Sequence, residues 1–249
     1  SAGLPLTRTV ARRVVEHWEN RSINVFAIHI DTIDPQAFAE LHDNPRELEP
    51  RMQGYRNLLE AGFLPDRVFP CITLTAPAAR VFEQTLDWYV DEMGARFMEI
   101  SVFKPRGRGE INRDLEPSLS DVRRAFEYRA QKLGDPNWAR MGSTECTTVQ
   151  CLTKFYISWD GFVQRCGQFP RETAVGNVYQ KRLREIFAQH WDGLTFHDLM
   201  DRVKGKCASC ENNDLCRGCR AAALYYLGDV EAADPKCWLN PEAQETYLR

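Results

Sequence analysis

Four cysteines fall between Cys207 and Cys219, in the stretch CASCENNDLCRGC, and a helix-forming run, RAAALYYL, follows at once. No other feature restricts the fold as strongly. Thiols this close together either pair or bind metal, and either way they fix the path of the loop that carries them. The full set is Cys71, Cys146, Cys151, Cys166, Cys207, Cys210, Cys216, Cys219 and Cys237, nine in all. An odd number, with no visible secretion signal, makes a disulfide framework the weaker account. Eight of the nine lie between 146 and 237, which points to metal. Cys71 stands alone in VFPCITL, a strand-like apolar run, and reads as a buried core thiol rather than a ligand.

Zinc and iron–sulfur are the two candidate metals. A zinc ribbon pairs two CxxC knuckles across roughly 15–20 residues. Here five residues separate Cys210 from Cys216, so two separate knuckles are hard to build. Cubane clusters take four thiolates each, and eight thiols supply two of them. Cys216 and Cys219 stand at a predicted helix start, where free N–H groups and the helix dipole stabilise anionic sulfur.

The rest of the chain narrows the class. Over 249 residues the net charge is −3, and short basic runs such as Lys104 to Arg108 are surrounded by acidic residues. Nothing in this balance points to a nucleic-acid surface. No apolar run approaches the eighteen or more residues of a membrane span. The opening stretch, SAGLPLTRTVARRVVEHW, reads as an amphipathic helix with Arg12 and Arg13 in its middle, not as a signal peptide.

The chain divides near residue 140. Before it, strands are predicted at Ile23 to Ile30, Val68 to Leu74 and Phe97 to Phe103. Helical spacing links Leu48, Met52, Tyr55, Leu58 and Leu59, then Phe82, Leu86, Tyr89, Val90 and Met93, then Val122, Phe126, Ala130 and Leu133. Ser118 or Ser120 caps the last helix and Gly134 ends it. Alternation of this kind predicts a parallel α/β sheet with covering helices. Three strands are too few to close a barrel.

After residue 140 the pattern changes. KFYISWDGFVQRC, Lys154 to Cys166, predicts a hairpin turning on Asp160–Gly161, with Trp159 opposite Phe162 and Phe155 opposite Cys166. Straight pairing would leave Cys151 and Cys166 about 13 Å apart at ~3.3 Å per residue, so the chain must curl before the strand begins. Short helices are predicted at Leu183 to Trp191 and Leu194 to Val203. Cys219 opens the next helix, Gly228 closes it, and a turn at Asp234–Pro235 leads to Cys237.

Taken together, these spacings resemble a known family. Nine residues separate Cys151 from Gly161, and four more lead to Cys166. Cys207-x2-Cys210-x5-Cys216-x2-Cys219 and Cys237 follow. The pattern is similar to the SPASM domain, the C-terminal extension of many radical S-adenosylmethionine (radical SAM) enzymes. VFAIHIDTID, VFPCITLT and FMEISVFKPRGRG resemble the fourth, fifth and sixth strands of the radical SAM barrel. Two departures stand out. The family's catalytic CxxxCxxC is absent from these 249 residues, and the last clustered spacing is two where three is usual. In sulfatase-maturing members a basic Asp follows the third auxiliary cysteine, and here that place is Gly167.

The resemblance implies a partial (β/α) barrel over 1–140, made of its last strand–helix units. A small α+β iron–sulfur domain with a β-hairpin follows over 141–249. It implies a cytoplasmic oxidoreductase in SAM-dependent radical modification of a peptide, with a tetrapyrrole enzyme or a stand-alone electron-transfer module as alternatives. An electron donor such as flavodoxin or ferredoxin is the expected partner, with no nucleic acid and no membrane. Two 4Fe–4S clusters are implied here; SAM and a third cluster are expected with a first barrel half. A full barrel runs near ~250 residues, so the chain is expected to be the later part of such an enzyme and not to cleave SAM by itself. Barrel sites lie at the strands' C-terminal ends, which makes His29, Asp31, Thr73, Lys104 and Arg106 candidate SAM contacts.

Two ligand partitions remain open. Local grouping places Cys207, Cys210, Cys216 and Cys219 on one cluster, since helical residues three apart lie about 5–6 Å from each other. The family resemblance implies the interleaved grouping. Cys146, Cys151, Cys166 and Cys219 then hold auxiliary cluster I, and Cys207, Cys210, Cys216 and Cys237 hold auxiliary cluster II.

Overall fold

The structure, a computed structural model, describes residues 2–20, 23–144 and 146–243. The chain forms two compact units. The first comprises Ser1–Phe103 with Asp114–Ala139, and the second Lys104–Arg113 with Arg140–Arg249.

In the first unit the order is α1 (Arg8–Glu19), β1 (Phe26–His29), α2 (Pro35–Leu41), α3 (Leu48–Glu60), β2 (Val68–Leu74), α4 (Ala76–Arg80), α5 (Phe82–Asp87), β3 (Glu99–Val102) and α6 (Leu119–Leu133). The strands form one parallel sheet in the order β1-β2-β3. His29 stands opposite Cys71, and Cys71 opposite Glu99. Side chains alternate across a strand, so one face carries Ile28, Ile72, Leu74, Ile100 and Val102, all buried. Phe38, Phe82, Leu86, Tyr89, Val122 and Phe126, from the helical segments, are buried as well. The opposite face carries His29, Phe69, Cys71, Thr73, Glu99 and Ser101, each only partly covered. Cys71 therefore is not the buried core thiol that its apolar surroundings predict. Strand parity turns it to the half-open face, where its thiol approaches the Glu99 carboxylate at 3.8 Å.

Helix ends in this unit follow the sequence closely. Ser118 Oγ accepts from Asp121 N at 3.0 Å, which satisfies an N–H that helix α6 leaves unpaired. Gly134 closes α6 in the left-handed conformation, at φ 70°. Arg129 of α6 is fully buried. It donates to the Met98 carbonyl at 2.9 Å and stacks over the rings of Phe126 and Trp138. A buried cation of this kind is tolerated because carbonyl and ring faces replace its water.

After the short α7 (Asn137–Arg140), the second unit continues with α8 (Thr148–Thr153), β4 (Tyr156–Ile157), β5 (Phe162–Gln164), β6 (Gly176–Asn177), α9 (Leu183–Leu194), α10 (His197–Asp201), α11 (Gly205–Ser209) and α12 (Arg220–Leu227). The strands form a small antiparallel sheet, β4-β5-β6. Tyr156 faces Gln164 and Ile157 faces Val163, one residue away from the predicted register. The loop has three residues, Trp159 to Gly161, and not two. Ser158 N donates to the Phe162 carbonyl at 2.9 Å, and Ser158 Oγ accepts from Phe162 N at 3.0 Å. Gly161, at φ 84°, takes the left-handed place that a three-residue hairpin loop needs. Cys151 lies on α8, so the chain does curl before β4. The apolar content is modest. One cluster gathers Phe169, Phe196, Leu199, Met200 and Ala221, and a second gathers Val163, Ile186 and Leu194.

Candidate metal centres

The eight cysteines of the second unit sort into two groups. Cys146 and Cys151 flank the start of α8, whose first turn is fixed reciprocally. Thr147 Oγ1 accepts from Gln150 N at 3.2 Å, and Gln150 Oε1 accepts from Thr147 N at 3.0 Å. This capping box aims Cys151 at Cys146, and their thiols share a hydrogen bond. Cys219 and Cys166 are the next neighbours of Cys151. Cys166 follows β5, and Cys219 is the N-cap of α12. Segments far apart in sequence thus meet at one place.

The second group draws Cys207 from α11, Cys210 from its C-cap, Cys216 from the following loop and Cys237 from the last turn. All four line one small cavity of about 20 Å³. Two glycines in its surroundings come close to the sulfurs. Gly218, at φ 72°, lies so close that a Cβ there would stand 2.7 Å from Cys207 Sγ. A Cβ on Gly142 would collide with Cys237 Sγ.

Backbone N–H groups are aimed at the sulfurs. Gly218 N donates to Cys216 Sγ at 3.1 Å, Asp234 N to Cys207 Sγ at 3.3 Å, and Gln168 N to Cys166 Sγ at 3.4 Å. Ser143 and Leu239 N–H groups serve Cys237. Donors of this kind stabilise thiolate, and around a cluster they help set its potential. Without metal the thiols resist ionisation. Burial, with Asp234, Cys237 and Cys207 nearby, pushes Cys216 up to about 12. Burial, Asp234 and Cys207 do the same to Cys237, again to about 12. Cys151 is raised further, by the Cys146 hydrogen bond, burial and the sulfurs around it. Among the described residues no three His, Cys, Asp or Glu side chains converge as around a single ion. What fits a 4Fe–4S cluster is the donor set, since such a cluster takes four thiolates and each group offers four.

Three charged residues support these sites. Asp234, 1% exposed, accepts from Cys219 N at 2.7 Å and from Lys236 N at 2.9 Å. Arg220 and Lys236 are as deeply buried. Sequence reasoning passed over all three. Their signal was position, since each lies within three residues of a clustered cysteine.

The candidate SAM contacts divide between the units. His29, Asp31 and Thr73 come together. Asp31 Oδ1 accepts from Thr73 N at 2.6 Å and lies 3.1 Å from His29 Nε2. Lys104 and Arg106 belong to the second unit. Lys104 lies in the charge environment of Cys166, and the Arg106 guanidinium donates to the Gly167 carbonyl.

Comparison with known proteins bears on this arrangement. The SPASM family, an iron–sulfur cluster-binding domain, matches residues 146–220. In fold, the structure superposes on anSMEcpe with bound AdoMet at a TM-score of 0.64. The match covers 94% of this chain and 67% of that one, at 14% identity. The SPASM match and this likeness in fold support a radical SAM/SPASM-type protein. Radical SAM/SPASM architecture accounts for both the three-stranded parallel sheet and the separate hairpin sheet. Curated relatives include an AdoMet-dependent heme synthase of Methanosarcina barkeri, 27% identical over 92% of this chain and 71% of that protein. Another heme synthase, from Nitratidesulfovibrio vulgaris, is 36% identical over 66% of this chain and 41% of its own length. The mycofactocin maturase MftC of Mycolicibacterium smegmatis is 26% identical over 86% of this chain and 58% of its own length. Among the described residues no helix is long and apolar enough to cross a membrane.

Proposed function

We propose that this chain supplies the auxiliary-cluster half of a SAM-dependent radical oxidoreductase. Cys146, Cys151, Cys166 and Cys219 would hold cluster I, and Cys207, Cys210, Cys216 and Cys237 would hold cluster II. The observation that carries this is the sorting of eight thiols into two quartets, each drawn from distant segments and met by backbone N–H groups. When bound, the clusters supply one-electron redox capacity. The chain's own residues orient and shield them. Gly218 and Gly142 let backbone close over sulfur, and Asp234 fixes the N-terminus of α12 through Cys219 N.

His29, Asp31 and Thr73 form the candidate SAM-binding group in the first unit. The 249 residues contain no CxxxCxxC, so SAM cleavage is assigned to the protein that carries such a triplet together with this chain. All nine cysteines are free thiols, which suits a reducing cytoplasm and a small electron-transfer protein such as flavodoxin or ferredoxin as donor.

A tetrapyrrole is the first substrate reading. The heme synthases support it, as does Gly167 where sulfatase-maturing members place a basic Asp. Tyr156 packs over Gly167, which leaves no acidic side chain at that place. A peptide is the second reading, supported by the maturase relative and by anSMEcpe solved with a bound Kp18Cys peptide at a TM-score of 0.63.

The test has two parts. Anaerobic reconstitution of the chain should yield roughly eight iron and eight sulfide. Stoichiometric zinc with no iron uptake contradicts the reading. In the protein carrying the triplet, a carboxylated tetrapyrrole should stimulate 5′-deoxyadenosine formation. Stimulation by a small peptide alone favours the second substrate class.

A further inference from the structure

The cavity of the second quartet has one feature that ligation does not explain. Arg220 is 3% exposed. Its Nη1 donates to the carbonyls of Val230 at 3.0 Å and Ala232 at 2.5 Å, and its Nε to the Gly218 carbonyl at 3.3 Å. Its Nη2 is buried and has no hydrogen-bond partner among the described residues. An orphaned guanidinium nitrogen in the interior is costly unless a negative group lies near it.

The missing counterpart lies beside Gly218. A Cβ built there would stand 2.7 Å from Cys207 Sγ and 2.8 Å from Arg220 Nη2. Sulfur and nitrogen therefore stand no further apart than those two lengths laid end to end. The same point is 2.8 Å from Asp234 Cβ, but the Asp234 carboxylate is committed elsewhere, to Cys219 N and Lys236 N. Arg220 thus presents a fixed positive charge to the Cys207 corner of the quartet. The first quartet has a different setting. Its Cys146 is exposed, and the cation near Cys166 is the half-buried Lys104.

We infer that Arg220 is a positioning residue whose guanidinium makes cluster II easier to reduce than it would otherwise be. The inference rests on the proposed assignment of Cys207, Cys210, Cys216 and Cys237 to that cluster. Adding an electron to a cluster held by four thiolates adds negative charge in a low dielectric, and a fixed cation close to one sulfur favours that step. Removing the cation withdraws that stabilisation of the reduced state, so the potential falls. Lys236 is the other buried cation of this turn, and it lies 5.8 Å from the Tyr226 ring.

The experiment is a potentiometric titration of the reconstituted protein, followed by electron paramagnetic resonance. It compares wild type with Arg220→Gln and Arg220→Lys, with iron counted in each. Cys146→Ala assigns the cluster I signal. In Arg220→Gln the cluster II midpoint should fall by about 59 mV or more, a tenfold loss of reduced cluster at fixed poise for one electron. The cluster I midpoint should stay in place, and Arg220→Lys should recover much of the shift. Arg220→Gln with full iron and an unmoved cluster II midpoint overturns the inference. Equal loss of cluster II iron in both variants also overturns it, because it makes Arg220 a structural clamp only. Loss in Arg220→Gln with retention in Arg220→Lys supports the role of the charge. Failure of wild type itself to take up two clusters sinks the ligand assignment instead, and iron analysis shows this before any titration begins.

Discussion

The two units of this chain are held together by different means. The first has a continuous apolar layer, from Ile28, Ile72 and Ile100 out to Phe38, Phe82 and Phe126. Burial of such a layer contributes ~25 cal/mol per Å² of apolar surface. The second has two small apolar clusters, short strands of two or three residues, and three buried charges near its cysteines. Little apolar area is available there to offset chain entropy. On the proposed assignment, clusters held by the thiol quartets would supply the missing constraint, because each quartet joins segments that loops separate. One unit is therefore organised by packing, and the other, on the proposed assignment, by ligation.

Removing iron tests this contrast with the largest expected effect. Chelation from the reconstituted protein should abolish hydrogen-exchange protection across α8, α11 and α12. Protection in β2 and α6 should survive. Structural metal sites of small domains supply much of the folding free energy, so a second unit that keeps its protection without iron would break the comparison. A packing mutation probes the other side. Phe126→Ala should cost the first unit ~3–5 kcal/mol, as large aromatic truncations do, while leaving iron content unchanged. Iron loss in that variant would show that the units depend on each other.

The smallest effect concerns the half-open face of the sheet. The hydrogen bond to Asp31 raises His29 above its ordinary 6.5, against the effect of burial. Burial pushes Asp31 up, but His29 and the Thr73 N–H outweigh it and hold Asp31 below its ordinary 3.8. His29 therefore contributes stability that is fully present below pH 6.5 and fades as pH rises through its raised value. Asp31 contributes stability present above pH 3.8 and lost as pH falls through its lowered value. The pair acts together between these limits. NMR titration should place the His29 midpoint above 6.5, and Asp31→Asn should bring it down; an unchanged midpoint would remove the pair from the account. His42, 3.9 Å from Asp31 Oδ2, moves the other way through burial and nearby Arg51.

Much of this was legible in the sequence where local rules decide. VFPCITL gives β2 end to end, Ser118 and Gly134 bound α6 as capping chemistry predicts, and Cys219 and Gly228 bound α12. The cysteine spacing points to the same region, 146–220, that matches the iron–sulfur cluster-binding SPASM family. Other features depend on partners that sequence order does not reveal. Asp160–Gly161 predicts a two-residue turn, yet the Ser158 hydroxyl, bonded to Phe162 N, selects a three-residue loop and shifts the register by one. Cys71 sits in an apolar run, but only its pairing with Glu99 shows which face it occupies. Lys104 and Arg106 follow β3 directly and read as part of its site. Their neighbours Cys166 and Gly167 lie some sixty residues later, a contact that spacing cannot announce.

The central claim is that the quartets interleave, with Cys219 serving the cluster of Cys151 while its sequence neighbours serve the other. Paramagnetic resonance of single Cys→Ala variants, reconstituted and reduced, tests it most directly. Cys219→Ala should perturb the same signal as Cys151→Ala, and Cys237→Ala the same signal as Cys207→Ala. A Cys219→Ala variant that instead perturbs the signal of Cys207→Ala and spares that of Cys151→Ala would contradict the account.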